Sequence, residues 1–295
     1  MRLHTIDTGF FKLDGGAMFG VVPKSIWNKT NPADANNLCN WAMRLLLVEE
    51  GDRLVLVDTG IGTKQDEKFF SHYYLHGDDT LDGSLAKHGF SRNDITDVFL
   101  THLHFDHCGG AIAPGGKPAF PSATYWSNRE HWDWAVHPND REKASFLKEN
   151  ILPIEQSGQL RFLETEGTGL GVTGAGAVAP GTPGGRALWP DGPFDVRLAG
   201  GHTAAMMLPQ IQYKGRTLVY MADLLPSVGH LPLPYVMAYD MFPLRTLQEK
   251  KDFLEEAVDN QYILYFEHDP VNECCTLNRT EKGIRVAQTF KLSEL

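Results

Sequence analysis

Four side chains able to ligate a metal fall within six residues of the segment Thr101-His102-Leu103-His104-Phe105-Asp106-His107-Cys108-Gly109-Gly110. His102 and His104 alternate, so on an extended backbone both project to one side. Asp106 and His107 follow where the chain must turn, and can face a second point a short distance away. A catalytic ion takes three or four ligands and keeps one position open for water. The segment therefore supplies half-shells for two ions. Imidazole nitrogens and carboxylate oxygens suit zinc, iron, cobalt or manganese. The cluster follows the apolar run Val98-Phe99-Leu100 and precedes Gly109-Gly110. A strand end opening into a glycine turn is where an α/β protein places its chemistry.

The elements that position these residues can be read from hydrophobic period and turn signals. Thr5 to Leu13 and Trp41 to Glu49 read as strands, the second nearly all apolar and so central. Arg53 to Val57 follows the turn Gly51-Asp52 as the second arm of a hairpin. Glu67 to Leu75 and Leu81 to His88 read as short helices, and Val98 to Leu100 as a strand. Asn128 to Leu152 reads as mostly helical, broken at His137-Pro138-Asn139. Eight glycines between Gly167 and Gly185, with Pro180 and Pro183, predict an insertion loop at about 165–188 rather than a core element. Strands resume at Phe194 to Leu198, Met207 to Tyr213 and Arg216 to Met221, with a hairpin turn at Lys214-Gly215. Leu247, Phe253, Leu254 and Val258 mark an amphipathic helix before a last strand, Tyr262 to Phe266.

The H-x-H-x-D-H segment resembles the first signature of the metallo-β-lactamase superfamily. Other parts of that pattern follow in order: Asp58 after Leu54-Val55-Leu56-Val57, His202 after Val196-Arg197-Leu198-Ala199, Asp223 after Leu218-Val219-Tyr220-Met221, and His268 after Ile263-Leu264-Tyr265-Phe266. The resemblance implies an α/β fold, an αββα sandwich of two mixed sheets flanked by helices, formed by residues 1–295 as one domain. It implies two divalent metal ions, zinc first, with iron, cobalt or manganese as alternatives. His102, His104 and His202 would hold one ion. Asp106, His107 and His268 would hold the other, and Asp223 would bridge them. Asp58 would stand behind the ligands, accepting a proton from a ligand imidazole or a backbone amide of the motif turn. The implied chemistry is hydrolysis by a metal-bridging hydroxide, with Asp106 and Asp223 as the catalytic carboxylates. A flavodiiron relative would carry a carboxylate at His104, and the zinc β-lactamases typically a cysteine at Asp223. Neither pattern is present.

A narrower resemblance lies in Phe10 to Lys24, in Trp126, in His131-Trp132-Asp133-Trp134 and in Ala222-Asp223-Leu224-Leu225-Pro226. These stretches resemble N-acyl homoserine lactone lactonases and methyl parathion hydrolase-like enzymes. The implied substrate is a small molecule with an apolar portion, met by Met18, Phe19, Trp27 and His230. Met and Phe make an adaptable apolar wall. The implied reaction is quorum-quenching opening of N-acyl homoserine lactones. An esterase or phosphotriester (organophosphate) hydrolase, and a metal-binding protein without turnover, are the alternatives. Pro226 stands where the best-known lactonases carry a tyrosine, so the group assisting the leaving oxygen is not identified; His230, Tyr220, Tyr235 and Asp223 are candidates.

Composition bounds the partners. The 295 residues are 42% hydrophobic and 22% charged, an ordinary balance for a water-soluble fold. A net charge of −10 argues against a nucleic-acid partner, which a basic face would serve. No apolar run reaches the roughly 18 residues of a membrane span. The N-terminus shows no apolar signal region, and Cys39, Cys108, Cys274 and Cys275 lack a disulfide-framework spacing, which predicts a reduced, cytoplasmic protein. A homodimer is a family expectation.

Overall fold

The computed structural model of the chain describes residues 1–163 and 194–295. The glycine-rich insertion expected at 165–188 lies outside the described residues. The chain forms two compact units, one from residues 1–11 and 42–163, the other from 12–41 and 164–295.

The first unit carries a six-stranded sheet in the order β1 (Arg2–Asp14), β2 (Leu38–Glu50), β3 (Arg53–Val57), β4 (Asp97–Phe99), β5 (Thr124–Asn128) and β6 (Leu160–Leu163). β2 and β3 are antiparallel, and β3 through β6 are parallel. The continuous burial of β2 from Trp41 to Val48 suits a central strand covered on both faces. Leu45, Leu47, Leu56, Val98, Leu100 and Tyr125 share a core with Trp132 and Ile151 from the helices Arg129–Val136 and Lys148–Gln156. Burying such side chains stabilises the unit by about 25 cal/mol per Å² of apolar surface removed from water.

The second unit carries a six-stranded sheet in the order β12 (Gly283–Phe290), β11 (Cys274–Thr280), β10 (Ile263–Tyr265), β9 (Arg216–Tyr220), β8 (Met206–Tyr213) and β7 (Phe194–Ala199). β9 and β10 are parallel; the other neighbours are antiparallel. The turn between β8 and β9 has positive φ at both Lys214 (49°) and Gly215 (77°), the primed geometry that matches strand twist. The helix Pro243–Asp259 buries Phe253, Leu254 and Ala257 and packs on β11. No described helix is long and apolar enough to cross a membrane. All four cysteines are free and buried.

Several elements depart from the sequence expectation. The helix expected over Glu67 to Leu75 spans only Glu67–Ser71. Phe69 within it and Tyr73 beyond it lie 5.4 and 4.6 Å from Phe105, bracing the middle of the histidine motif. The break at His137 extends to Leu147, so the expected long helix becomes two. The sequence expectation omits β5, β6 and the β11–β12 hairpin. β12 is largely exposed, and β11 is exposed beyond Leu277.

Candidate functional site

In the first unit, β3 and β4 run parallel with Val57 opposite Phe99. Parallel neighbours end at the same sheet edge, so Asp58 and Thr101-His102 emerge side by side, where α/β sheets place ligands. The Asp58 amide extends the ladder by donating to Phe99 O at 2.8 Å. Asp58 then turns with φ +60°, a left-handed conformation that aspartate tolerates. Its carboxylate accepts from the Thr101 amide (2.8 Å), the Thr101 hydroxyl (2.7 Å) and His107 Nδ1 (3.1 Å). Gly109 and Gly110 do more than turn the chain. A Cβ at Gly110 would lie 2.2 Å from Thr59 O and one at Gly109 2.1 Å from Ile61 O, so only glycine lets the Asp58 loop close on the motif.

The hydrogen bonds fix the imidazole tautomers. The Thr101 hydroxyl spends its proton on Asp58, so it accepts from His102 Nδ1 at 3.1 Å. His104 Nε2 donates to Glu142 Oε1 at 2.9 Å, and His107 Nδ1 donates to Asp58. Lone pairs are thereby left on His102 Nε2, His104 Nδ1 and His107 Nε2. His102 Nε2 and His104 Nδ1 stand 3.1 Å apart, and all three rings are buried. Two nitrogen lone pairs so close repel unless a cation lies against both or one ring carries a second proton.

In the second unit, β9 and β10 are parallel with Tyr220 opposite Tyr265. Asp223 and His268 each follow three positions after those residues, and His202 three positions after Ala199 at the end of β7. Ala222, at φ 39°, holds a conformation that costs a non-glycine residue about 1–3 kcal/mol and turns the chain into Asp223. His202 Nε2 lies 3.0 Å from Asp223 Oδ2, and His268 Nε2 lies 3.2 Å from Asp223 Oδ1. One carboxylate thus offers an oxygen to each of two imidazoles. His202 Nδ1 meets Asp240 Oδ1 at 2.8 Å. Burial alone would hold the His202 pKa down, but the Asp223 and Asp240 carboxylates outweigh it and push it up to about 10. This is a buried environment that demands positive charge, which a divalent ion supplies.

The donor chemistry fits resident metal ions. His102, His104, Asp106 and His107 in the first unit, and His202, Asp223 and His268 in the second, all belong to groups of buried side chains able to hold one. Asp58 and Glu267 do as well. The four residues expected to meet substrate fall in the second unit. There Phe19 stacks between Trp27 and His230, while His230 bonds the Met18 carbonyl. All four are buried. Glu142 and Asp240, which orient His104 and His202, escape a sequence reading because nothing in their neighbourhoods marks them. Thr101 adjoins the motif and its coupling of Asp58 to His102 could have been foreseen.

Known proteins supply an independent comparison. The N-acyl homoserine lactonase AiiA of Bacillus thuringiensis subsp. kurstaki is 28% identical over 162 residues, 52% of this chain and 56% of that protein. The chain therefore spans about half the length of the curated relatives it matches. A solved structure of a probable metal-dependent hydrolase from Staphylococcus aureus superposes with a TM-score of 0.83 at 26% identity, covering 98% of this chain and 96% of that one. The dizinc quorum-quenching lactonase AidC, solved with a product, shares the fold with a TM-score of 0.75 at 22% identity over 99% and 97% of the two chains. The profile of the metallo-β-lactamase superfamily matches residues 45–268, from β2 to His268. Two mixed sheets with flanking helices are consistent with that fold, and the chain belongs to the metallo-β-lactamase superfamily.

Proposed function

We propose that this chain is a dinuclear metal-dependent hydrolase that opens lactones of the N-acyl homoserine type. His102, His104 and His202 would hold one ion and Asp106, His107 and His268 the other, with Asp223 available to both. The Asp223 carboxylate carries this reading: its two oxygens address His202 and His268 separately, as a shared ligand requires. Two divalent ions, when bound, lower the pKa of water and stabilise negative charge developing on a carbonyl or phosphoryl oxygen. The protein's own part is to hold the imidazoles in their ligating tautomers through Asp58, Thr101, Glu142 and Asp240. Zinc is the first choice of metal, supported by the dizinc lactonase of the same fold.

The lactone is supported by the curated lactonase relatives. Pro226, in the position of the lactonase tyrosine, favours a second reading, a phosphotriester hydrolase of the same architecture. The test is a panel of N-acyl homoserine lactones, aryl esters and a phosphotriester, with metal content measured on protein purified without chelator. Two ions per chain and highest kcat/KM on lactones are expected. A stoichiometry that stays at one under metal-replete conditions overturns the dinuclear assignment, and a phosphotriester preference replaces the substrate.

A further inference from the structure

We propose that His230 is a positioning residue: it clasps the segment 15–27 to the segment 227–240 as a fixed wall and takes no part in proton transfer. Both segments belong to the second unit. His230 Nε2 lies 2.9 Å from the Met18 carbonyl, which can only accept, so Nε2 carries the proton. Nδ1 then accepts from the Ser227 hydroxyl at 2.9 Å. Both nitrogens are engaged by the protein. The imidazole is fully buried, and burial holds its pKa down to about 3, so it stays neutral at working pH. A neutral ring with its single proton on a backbone carbonyl has none to give a leaving group. This removes His230 from the candidates for the role left open by Pro226.

The clasp has further contacts. Phe19 is sandwiched between His230 (4.4 Å between centroids, 8° between planes) and Trp27 (5.2 Å, 8°), and Tyr235 meets its edge at 6.1 Å. The Ala238 amide donates to Ala17 O at 2.8 Å. Gly20, at φ 56°, accommodates Val236 O where a Cβ would stand 2.4 Å away. From the far side, buried Lys250 donates to Pro232 O (2.8 Å) and Tyr235 O (2.9 Å), pinning the turn that follows His230. Segment 15–27 is thus built in before substrate arrives, and preorganisation of this kind spares ordering entropy on binding. That the wall selects for apolar substrates rests on the hydrolase reading above. The clasp itself does not.

His230→Gln and His230→Ala separate the roles. Glutamine keeps an N–H for Met18 O and an oxygen for Ser227 but cannot titrate. His230→Gln is expected to keep both limbs of the kcat pH profile and to disturb KM less than alanine does. His230→Ala is expected to raise KM for long-chain or aromatic substrates by about fivefold to tenfold, the equivalent of a lost hydrogen bond, with less effect on small substrates. It should also raise acrylamide quenching of tryptophan fluorescence, because Phe19, the ring stacked on Trp27, loses the partner that holds its other face. If His230→Gln loses kcat as severely as alanine and one limb of the pH profile disappears, the residue transfers protons and the proposal is wrong. Unchanged KM and quenching in His230→Ala overturn the clasp. Should alanine prevent folding, Ser227→Ala removes one anchor of the ring and is read by the same two measurements. The quenching arm holds for any substrate, so failure of the lactone assignment is distinguishable.

Discussion

Glu142→Gln isolates the part played by a buried carboxylate behind a ligand imidazole. Glu142 is 1% exposed and accepts from His104 Nε2 (2.9 Å) through Oε1, and from Trp134 Nε1 (2.7 Å) and Asn139 Nδ2 (3.3 Å) through Oε2. Glutamine preserves shape but has one oxygen and one NH2. The indole can only donate, so the oxygen must face Trp134 and the NH2 must face His104. His104 can then accept only by moving its proton to Nδ1, the nitrogen 3.1 Å from His102 Nε2. That consumes the lone pair a metal would use. Loss of such a partner weakens metal binding by about 10–100-fold, or roughly 1.4–2.8 kcal/mol. If the ring does not switch, two donors face each other in a buried site at about 1–3 kcal/mol. Chelator competition gives the metal affinity, and urea unfolding of metal-free protein gives the structural cost. Metal affinity equal to wild type, beside a lowered metal-free stability, would show that Glu142 serves packing alone and refute the tautomer reasoning.

Two further perturbations probe the scaffold. Lys250 is buried and its pKa is pulled from 10.5 down to about 7, so the stability it contributes is present above 10.5 and is lost as pH falls through 7. Lys250→Met should therefore gain on wild type by a few kcal/mol, at about 1.4 kcal/mol per pH unit at most, as pH is lowered across that window; a pH-independent difference in urea unfolding would contradict a buried neutral lysine. Gly110→Ala should lower thermal stability by about 1–3 kcal/mol or more, because backbone at Thr59 cannot yield to the new Cβ, whose 2.2 Å approach is forbidden; an unchanged melting temperature would mean the Asp58 loop has room to move.

What could be read in the sequence, and what could not, divides along a physical line. The ligand-type residues were legible because each follows a strand that declares itself. β4, β7, β9 and β10 announce themselves by apolar runs, and His102, His202, Asp223 and His268 each lie three positions after the last residue of one of them. β5 was hidden because three of its five residues, Thr124, Ser127 and Asn128, are polar, and β12 because it is a largely exposed edge strand that packs little. Glu142 and Asp240 were hidden for a different reason. Their partners His104 and His202 are each 38 residues away, and only the completed fold sets that distance. Lengthening β3 or β4 by one residue would turn Asp58 away from Thr101 while leaving every motif intact. A sequence pattern specifies which atoms can bind a metal. The parallel pairs β3–β4 and β9–β10 decide which carboxylate reaches which imidazole, and so which nitrogen keeps its lone pair.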